Sequence, residues 1–311
     1  MLASETVQPR PLEGLLVVDL TRYLPGPFAT RELLRLGARV VRLEAPSGDP
    51  LRDVAPAWDA LLNGGKESVV CDLKADPALG RALCARADVV VESFRPGVAA
   101  RLGVGPDDVP SETIYCSLRG YGGDDDRAGH DLNYLGWVGA LAATAPASPP
   151  LPIADLAAAL TIVSRVLAAL LSRERTGRGA RTEVALAEVA RELAPFGGPL
   201  TGELACYRIY ETADGRHLTV AALEPRFWER LVELAGRPDL RGRAADGHRE
   251  LEELFASRSL AAWVELFEGE DVAVTPVRTL DEAGLREPEG RPPALGEHTE
   301  AWRRELGLAA A

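Results

Sequence analysis

The sequence predicts an α/β protein, in which a parallel β-sheet wrapped by helices is followed by a second, smaller α+β domain. In the first half of the chain, short apolar runs of strand length alternate with segments of helical spacing, and this alternation is typical of a parallel sheet. A Pro- and Gly-rich pause interrupts the pattern at 195–202. Beyond it, two strand-like runs flank an Ala-Asp-Gly turn, which indicates a β-hairpin.

The large domain is predicted over 1–195 as a Rossmann-like fold. Its strands are expected at 15–20, 40–43, 68–73, 88–92, 113–118 and 181–185. Its helices are expected at 28–36, 78–86, 132–143 and 156–172. Gly37 follows the first of these helices directly, and glycine at this position is a helix stop.

The small α+β domain is predicted over 203–283. Its elements are a hairpin at 207–211 and 217–221 and helices at 226–235, 250–255 and 260–268. The segment 284–296 is rich in Pro and Gly and is expected to be irregular. Residues 284–311 are expected to return to the large domain and complete it, with a last helix over 300–306.

The charge of the chain argues against nucleic acid as a partner. The 311 residues carry a net charge of −12, without a basic tract, whereas nucleic-acid binding depends on neutralising phosphates. An anionic ligand would therefore need cations gathered locally. Nearly all basic residues are arginines, a bias typical of a GC-rich bacterial genome, and the only lysines are Lys66 and Lys74. Under this bias, a lysine is expected where arginine cannot replace it.

The sequence also favours a cytoplasmic location. The first ten residues have no apolar core, unlike a signal peptide. The longest apolar stretch, 156–171, contains Ser164 and Arg165 and is expected to be too short and too polar to cross a membrane. The four cysteines are scattered without a Cys-x-x-Cys pair, so they are expected to be buried thiols, and neither zinc nor a disulfide framework is predicted.

Candidate catalytic residues stand at predicted helix starts. His130 and Asp131 precede an apolar helix, whose free N–H groups and partial positive charge suit a developing oxyanion. A simpler interpretation makes Asp131 a helix cap and His130 a surface residue. Asp155 opens another helix, where capping and a role as a fixed catalytic base are compatible. Glu224 precedes Pro225 and also suits a cap. Arg95 follows a strand, at the edge where α/β proteins bind ligands.

Several segments together carry a resemblance to a known family. They are LEGLLVVDLTRYLPGPFATRELLRLGARVVRLEAPSGDPLR, NGGKESVVCDLK, ADVVVESFRPGVAARLGVG, IYCSLRGYG, RAGHDLNYL, YETADGRHLTVAALEPRFW, VTPV and LGEHT. The chain resembles the class III CoA-transferase superfamily from about 12 to 299. Its Gly129-His130-Asp131 motif is similar to the α-methylacyl-CoA racemase branch.

The resemblance implies a racemase that moves a proton at the α-carbon of an acyl-CoA. It implies that His130 lies on one face of this carbon and Asp155 on the other, with Asp131 and Glu224 in support. It also implies a set of coenzyme-binding residues, to which we add Arg95: Arg42, Lys74, Arg101 and Tyr134. Coenzyme A is then part of the substrate, and neither a further cofactor nor a metal is expected. The family further implies an interlocked homodimer with sites built from both subunits.

Two other functions remain open. In a CoA-transferase, Asp155 would be the nucleophile, although the Gly-His-Asp motif argues against this assignment. A trimmed, non-catalytic homologue would only bind an acyl thioester, because the chain is short for the family and Ala157–Ala159 stand where relatives usually have glycine-rich sequence. The acyl carrier also stays open, since the phosphopantetheine of an acyl carrier protein is an alternative to coenzyme A.

Overall fold

A computed structural model of the chain describes residues 10–284 and 290–309. The chain divides into two compact units. The first comprises Met1–Gly139, Ser148–Glu192 and Glu287–Ala311, and the second comprises Ala140–Ala147 and Leu193–Arg286. The pause at 195–202 therefore falls just inside the second unit, and the predicted return near 284 begins within a few residues of the first unit's last segment. The assignment of Ala140–Ala147 to the second unit has no counterpart in the sequence pattern.

The first unit contains the predicted parallel sheet. Its six strands are β1 (Leu16–Leu20), β2 (Arg39–Glu44), β3 (Glu67–Val70), β4 (Val89–Glu92), β5 (Ile114–Arg119) and β6 (Arg181–Ala185). All neighbouring strands are parallel, in the order β3-β2-β1-β4-β5-β6. Strands β1 and β4 are buried along their whole length, which explains their continuous apolar runs, since helices cover both faces of such a sheet.

Seven helices of the first unit connect these strands, and an eighth follows β6. They are α1 (Pro25–Arg35), α2 (Leu51–Val54), α3 (Pro56–Asn63), α4 (Ala78–Arg86), α5 (Val98–Leu102), α6 (Asp131–Trp137), α7 (Ile153–Thr176) and α8 (Leu186–Leu193). Pro25 occupies the first turn of α1, where its missing N–H costs nothing, and Gly37 follows the helix with φ 104°. The predicted helix 132–143 is shorter in the structure, because α6 ends at Trp137 and turns follow it.

Helix α7 is longer than the sequence predicted. It has 24 residues, and by length and composition alone it could cross a membrane. The expectation that this segment is too short is therefore wrong, because the helix begins before Leu156 and continues through polar residues to Thr176. Its buried residues include Ala158, Ile162 and Val166, and this side of the helix packs against α1, β5 and β6.

The second unit is a small α+β structure, as predicted. Its antiparallel sheet consists of β7 (Tyr207–Glu211), β8 (His217–Ala221) and β9 (Val274–Pro276), and β9 was not predicted. Its helices are α9 (Pro225–Leu234), α10 (His248–Phe255), α11 (Leu260–Phe267) and α12 (Leu280–Ala283). The core contains Trp228, Phe255 and Trp263, all almost fully buried.

The final helix, α13 (Thr299–Glu305), belongs to the first unit. Its Trp302 is fully buried and donates a hydrogen bond to Glu67 at the start of β3. The Arg39 guanidinium lies 4.1 Å from the centre of the Trp302 ring. These contacts fasten the end of the described chain to the sheet. Part of the predicted irregular return, 285–289, lies outside the described residues.

Candidate active site

The strand order creates a natural ligand site at one edge of the sheet. The chain runs outward in opposite directions from the neighbouring strands β1 and β4, and α/β proteins bind ligands outside the carboxyl ends of strands at such a switch point. The turn 21–24 follows β1, and the loop 93–97 follows β4. The loop after β5 leads to His130. Several candidate residues therefore follow strands at one edge.

His130 caps helix α6 and is exposed. Its backbone N–H donates to the Asn133 side chain, which fixes the start of the helix. The Tyr134 hydroxyl donates to the carbonyl of Gly129 at 2.6 Å. A Cβ on Gly129 would lie 2.8 Å from the Tyr134 ring and 3.1 Å from the Tyr121 hydroxyl. Only glycine fits there, which gives a packing reason for the first residue of the Gly-His-Asp motif.

Asp131 links the start of helix α6, which His130 caps, to the first turn of helix α7, which contains Asp155. It is buried, and its carboxylate accepts the backbone N–H of Asp155 at 3.0 Å. Neither aspartate is the expected cap: His130 occupies the cap of α6, and Pro152 occupies that of α7. Asp155 instead lies in the first turn of α7. Burial, with a smaller contribution from Asp131, raises the pKa of Asp155 to about 7. Its carboxyl group can therefore exchange protons near neutral pH.

The loop before His130 is held by a stacked arginine. The Arg127 guanidinium lies 4.2 Å from the Tyr121 ring centre and 4.4 Å from that of Trp137. The same side chain forms a two-pronged ion pair with Asp125. This pairing engages one of the three acids at 124–126, so the loop does not present all three as free negative charges next to His130.

Three of the predicted coenzyme-binding residues are exposed cations. Lys74 lies in the turn after β3, Arg95 lies in the loop after β4, and Arg101 lies on α5. Within the described part of the chain, none of their side chains forms an ion pair with a carboxylate. Glu92, at the end of β4, pairs with Arg119 and accepts the N–H of Phe94, so the loop carrying Arg95 is braced from below.

The structure argues against Arg42 as a phosphate contact. Its side chain is only 3% exposed, and its guanidinium lies 3.1–3.4 Å from three carboxylates, those of Glu44, Asp49 and Asp59. A buried arginine with these partners is not available to a ligand. Tyr134 is also buried, and its hydroxyl donates a hydrogen bond to the Gly129 carbonyl. Burial, with a smaller effect from the Asp155 charge, raises the pKa of Tyr134 to about 12, so the hydroxyl stays a donor.

Lys66, one of the two lysines in the sequence, is fully buried. Its ammonium donates to the Pro27 carbonyl and to the side chains of Thr30 and Asn63, and it pairs with Asp19 at 3.3 Å. Burial lowers its pKa to about 8, although Asp19 acts in the opposite direction. The compact ammonium reaches all four partners in a closed site, where a larger guanidinium would not fit. Spacing alone offered no signal for this network.

Glu224 lies in the second unit. It is exposed and occupies the cap of α9, without a side-chain hydrogen bond at that cap. Its proposed support of the other residues therefore stays a prediction. As for metals, no group of three or more His, Cys, Asp or Glu side chains that could hold an ion occurs within 10–284 and 290–309.

Comparison with known proteins assigns the family. The chain is 33% identical to human alpha-methylacyl-CoA racemase, in an alignment covering 87% of this chain and 78% of that protein. It is 30% identical to mouse succinyl-CoA:glutarate CoA-transferase, with coverage of 87% and 73%. The crystal structure of a hypothetical protein from Mycobacterium tuberculosis superposes with a TM-score of 0.79 at 30% identity, covering 95% of this chain and 99% of that one. The family model CoA-transferase family III matches residues 12–299, and the chain belongs to this family.

Proposed function

We propose that the chain catalyses 1,1-proton transfer at the α-carbon of an acyl-CoA thioester, with His130 and Asp155 as the acid–base pair. One observation carries this proposal. Asp131, the residue directly after His130, accepts a hydrogen bond from the backbone of Asp155. The exposed imidazole and the partly buried carboxyl group therefore begin neighbouring helices at one location. Relatives with both a racemase and a transferase name support the acyl-CoA part of the proposal.

The reaction is balanced without any other reactant. One group removes the α-proton as a base and leaves an enolate, and the other group, already protonated, returns a proton to the opposite face of the carbon. The two groups end with their protonation states exchanged. Each acid or base typically contributes ~10²–10⁴ in rate. The enolate oxygen needs hydrogen-bond donors as well, and backbone N–H groups in the first turns of α6 and α7 are the candidates.

The pKa of Asp155 favours proton transfer. A carboxyl group with a pKa of about 7 is present in both forms near neutral pH, and this balance suits a group that must act as an acid in one direction and as a base in the other. A nucleophile, in contrast, reacts only as the ionised carboxylate, so the fraction of molecules with a protonated Asp155 would not contribute. The electrostatic environment of Asp155 therefore supports the racemase more than the transferase.

The exposed cations Lys74, Arg95 and Arg101 are proposed to bind the phosphates of coenzyme A. These side chains supply local positive charge in a chain of net charge −12. Coenzyme A is proposed as part of the substrate, and the phosphopantetheine of an acyl carrier protein is the alternative carrier. The protein is also proposed to act in the cytoplasm as an interlocked homodimer, and a monomer by light scattering at micromolar concentration would contradict the dimer.

The decisive experiment is incubation with a 2-methylacyl-CoA in D₂O. Deuterium entering the α-carbon, followed by mass spectrometry, would establish proton transfer regardless of the net reaction. The transferase predicts a different result. Asp155 attacks the thioester carbonyl and the CoA thiolate leaves; the thiolate then attacks the Asp155 carbonyl of the mixed anhydride and releases the donor carboxylate. The carboxylate of an added acid attacks the resulting Asp155–CoA thioester, the CoA thiolate leaves again, and its attack on the carbonyl of the added acid frees Asp155. That route moves CoA to an added acid without α-deuterium. The wild-type protein therefore decides between the two functions, and Asp155→Asn should abolish whichever activity it shows, because an amide can neither transfer the proton nor form the anhydride.

A further inference from the structure

Tyr23 is a solvent-accessible aromatic residue beside His130 that has no role in the proposed chemistry. It lies in the turn after β1, at the switch point of the sheet, and is 41% exposed. Its ring meets the His130 imidazole edge to face, with the ring centres 5.6 Å apart and the planes at 82°. Aromatic pairs favour this arrangement. The contact is therefore a specific one between two side chains on different segments of the sheet edge.

The backbone of Tyr23 is held in an unfavourable conformation. Its φ is 65°, in the left-handed region that residues with a Cβ rarely adopt. The buried Asp49 carboxylate accepts the Tyr23 N–H at 3.1 Å, and Asp49 itself lies 3.4 Å from the Arg42 guanidinium. Such conformations persist where the surroundings enforce them, and they cluster at functional sites. The buried Arg42–Asp49 ion pair therefore holds the backbone of Tyr23, and with it the position of the exposed ring.

We propose that Tyr23 is a positioning residue that holds the His130 imidazole in one orientation. The inference rests on the proposed acid–base role of His130. An exposed histidine has several accessible rotamers, and only some of them aim a ring nitrogen at a bound α-carbon. A rigid aromatic neighbour reduces this freedom before the substrate arrives, and orientation of this kind is worth a large rate factor. Arg42 then has a role in the site, because it anchors Asp49, which anchors Tyr23.

Three substitutions of Tyr23 separate positioning from stability. Tyr23→Leu removes the aromatic contact and is expected to lower kcat for α-deuterium exchange by about 10-fold, with little change in KM. Tyr23→Gly removes it too, but glycine adopts positive φ without strain, so the thermal midpoint should not fall. Tyr23→Phe keeps the ring and should retain the wild-type rate. Trp58→Leu, which removes another exposed aromatic residue of the same unit, is the matched control.

A second measurement is independent of activity. The chain has only four histidines, so the imidazole protons can be resolved by NMR, with His130→Ala identifying the His130 signals. The ring current of Tyr23 should shift these signals in the wild type and in Tyr23→Phe, but not in Tyr23→Leu. Unchanged His130 signals in Tyr23→Leu would overturn the inference, as would an altered signal with an unchanged kcat. If the wild type exchanged no deuterium, the proposed function would fail, and the proposed orienting contact would then be judged by the NMR comparison alone.

Discussion

The two units of the molecule are held together by different interiors. Among the described residues of the first unit, eight charged side chains are buried: Asp19, Arg42, Glu44, Asp49, Asp59, Lys66, Glu92 and Asp131. Among the described residues of the second unit, the buried polar side chain is Thr212, and the rest of its core is apolar, with Trp228 and Trp263 as its largest members. The first unit therefore adds buried charges to an apolar core, whereas the described interior of the second unit is almost entirely apolar.

The difference suggests a separate task for the buried charges of the first unit, which is to hold its turns in place. A buried charge is unfavourable unless it is paired and hydrogen-bonded, and replacing such pairs by apolar residues is often neutral for stability. In the first unit, Asp19 and Glu92 stand near the carboxyl ends of β1 and β4 and accept backbone N–H groups of the segments that follow, from Thr21 and Phe94. Apolar cores stabilise both units, and the buried charges of the first unit in addition hold turns in place. The following predictions test this division, from the largest effect to the smallest.

The largest effect is expected for His130→Ala and Asp155→Ala. Each should lower α-deuterium exchange by at least ~10²–10⁴, because one of the two proton-transfer groups is lost. Circular dichroism should show an intact fold, since His130 is exposed and Asp155 is only partly buried. The second unit offers matched controls in His217→Ala and Asp271→Ala, both exposed. Unchanged exchange in His130→Ala would remove the acid–base assignment.

Loss of a buried group should destabilise both units by similar amounts for different reasons. Lys66→Ala leaves Asp19 without its cation and should lower the free energy of unfolding by ~3–5 kcal/mol. Trp263→Ala leaves a cavity and should also lower it by ~3–5 kcal/mol. Urea denaturation measures both. A Lys66→Ala variant as stable as the wild type would show that the charged interior is not needed to hold the turn.

The pH dependence should distinguish these two variants. The pKa of Lys66 is lowered from 10.5 to about 8 in the folded protein, so between these values the unfolded state binds more protons, and the contribution of Lys66 makes stability rise with pH. This contribution amounts to up to ~3 kcal/mol. It should be present in Trp263→Ala and absent in Lys66→Ala. Equal alkaline slopes of unfolding free energy in the two variants would contradict the lowered pKa.

A smaller effect is expected at the proposed coenzyme site. Lys74→Ala and Arg101→Ala should each weaken coenzyme A binding by ~10- to 150-fold, which corresponds to ~1.5–3 kcal/mol for a charge-assisted hydrogen bond. A pantetheine thioester, which lacks the nucleotide phosphates, should bind equally well to both variants and to the wild type. Calorimetry provides the measurement, and Arg249→Ala, an exposed arginine of the second unit, is the control. Equal losses for both ligands would point to a folding defect.

The smallest effect is expected on the free energy of unfolding when the charge of Asp155 is removed. Its pKa is raised from 3.8 to about 7 on folding, so ionisation of the folded protein is disfavoured, and this contribution lowers stability as pH rises from about 4 to about 7. Asp155→Asn removes the charge and should stabilise the protein by ~1–2 kcal/mol at pH 8, less than the full shift because the carboxyl group is partly solvated. At pH 4 the two proteins should unfold alike. A destabilised Asp155→Asn at pH 8 would show that the charge is favoured in the fold.

The sequence by itself determined the architecture and the candidate residues. Apolar runs alternating with helices predicted the first five parallel strands, because strands covered on both faces are largely apolar. The sixth, 181–185, was predicted from the glycines before it and the helical stretch after it. Local residue order placed His130, Asp155 and Arg95 at helix starts and strand ends, whereas the Gly-His-Asp motif and the coenzyme-binding role of Lys74 came from the family resemblance. Helix lengths were less certain, as α6 and α7 show, since the ends of helices depend on contacts with other elements.

Only the tertiary structure decided which of these residues are buried and which meet. Arg42 has the charge of a phosphate ligand in the sequence, yet its carboxylate partners enclose it, and burial is a property of the assembled sheet. The sequence marks Lys66 as one of two lysines in an arginine-rich chain, but only the structure shows that Asp19 and Pro27 surround it. The Asp131–Asp155 hydrogen bond and the Tyr23–His130 contact join segments separated by 24 and 107 positions. Such contacts arise when elements pack together, and no local pattern records them.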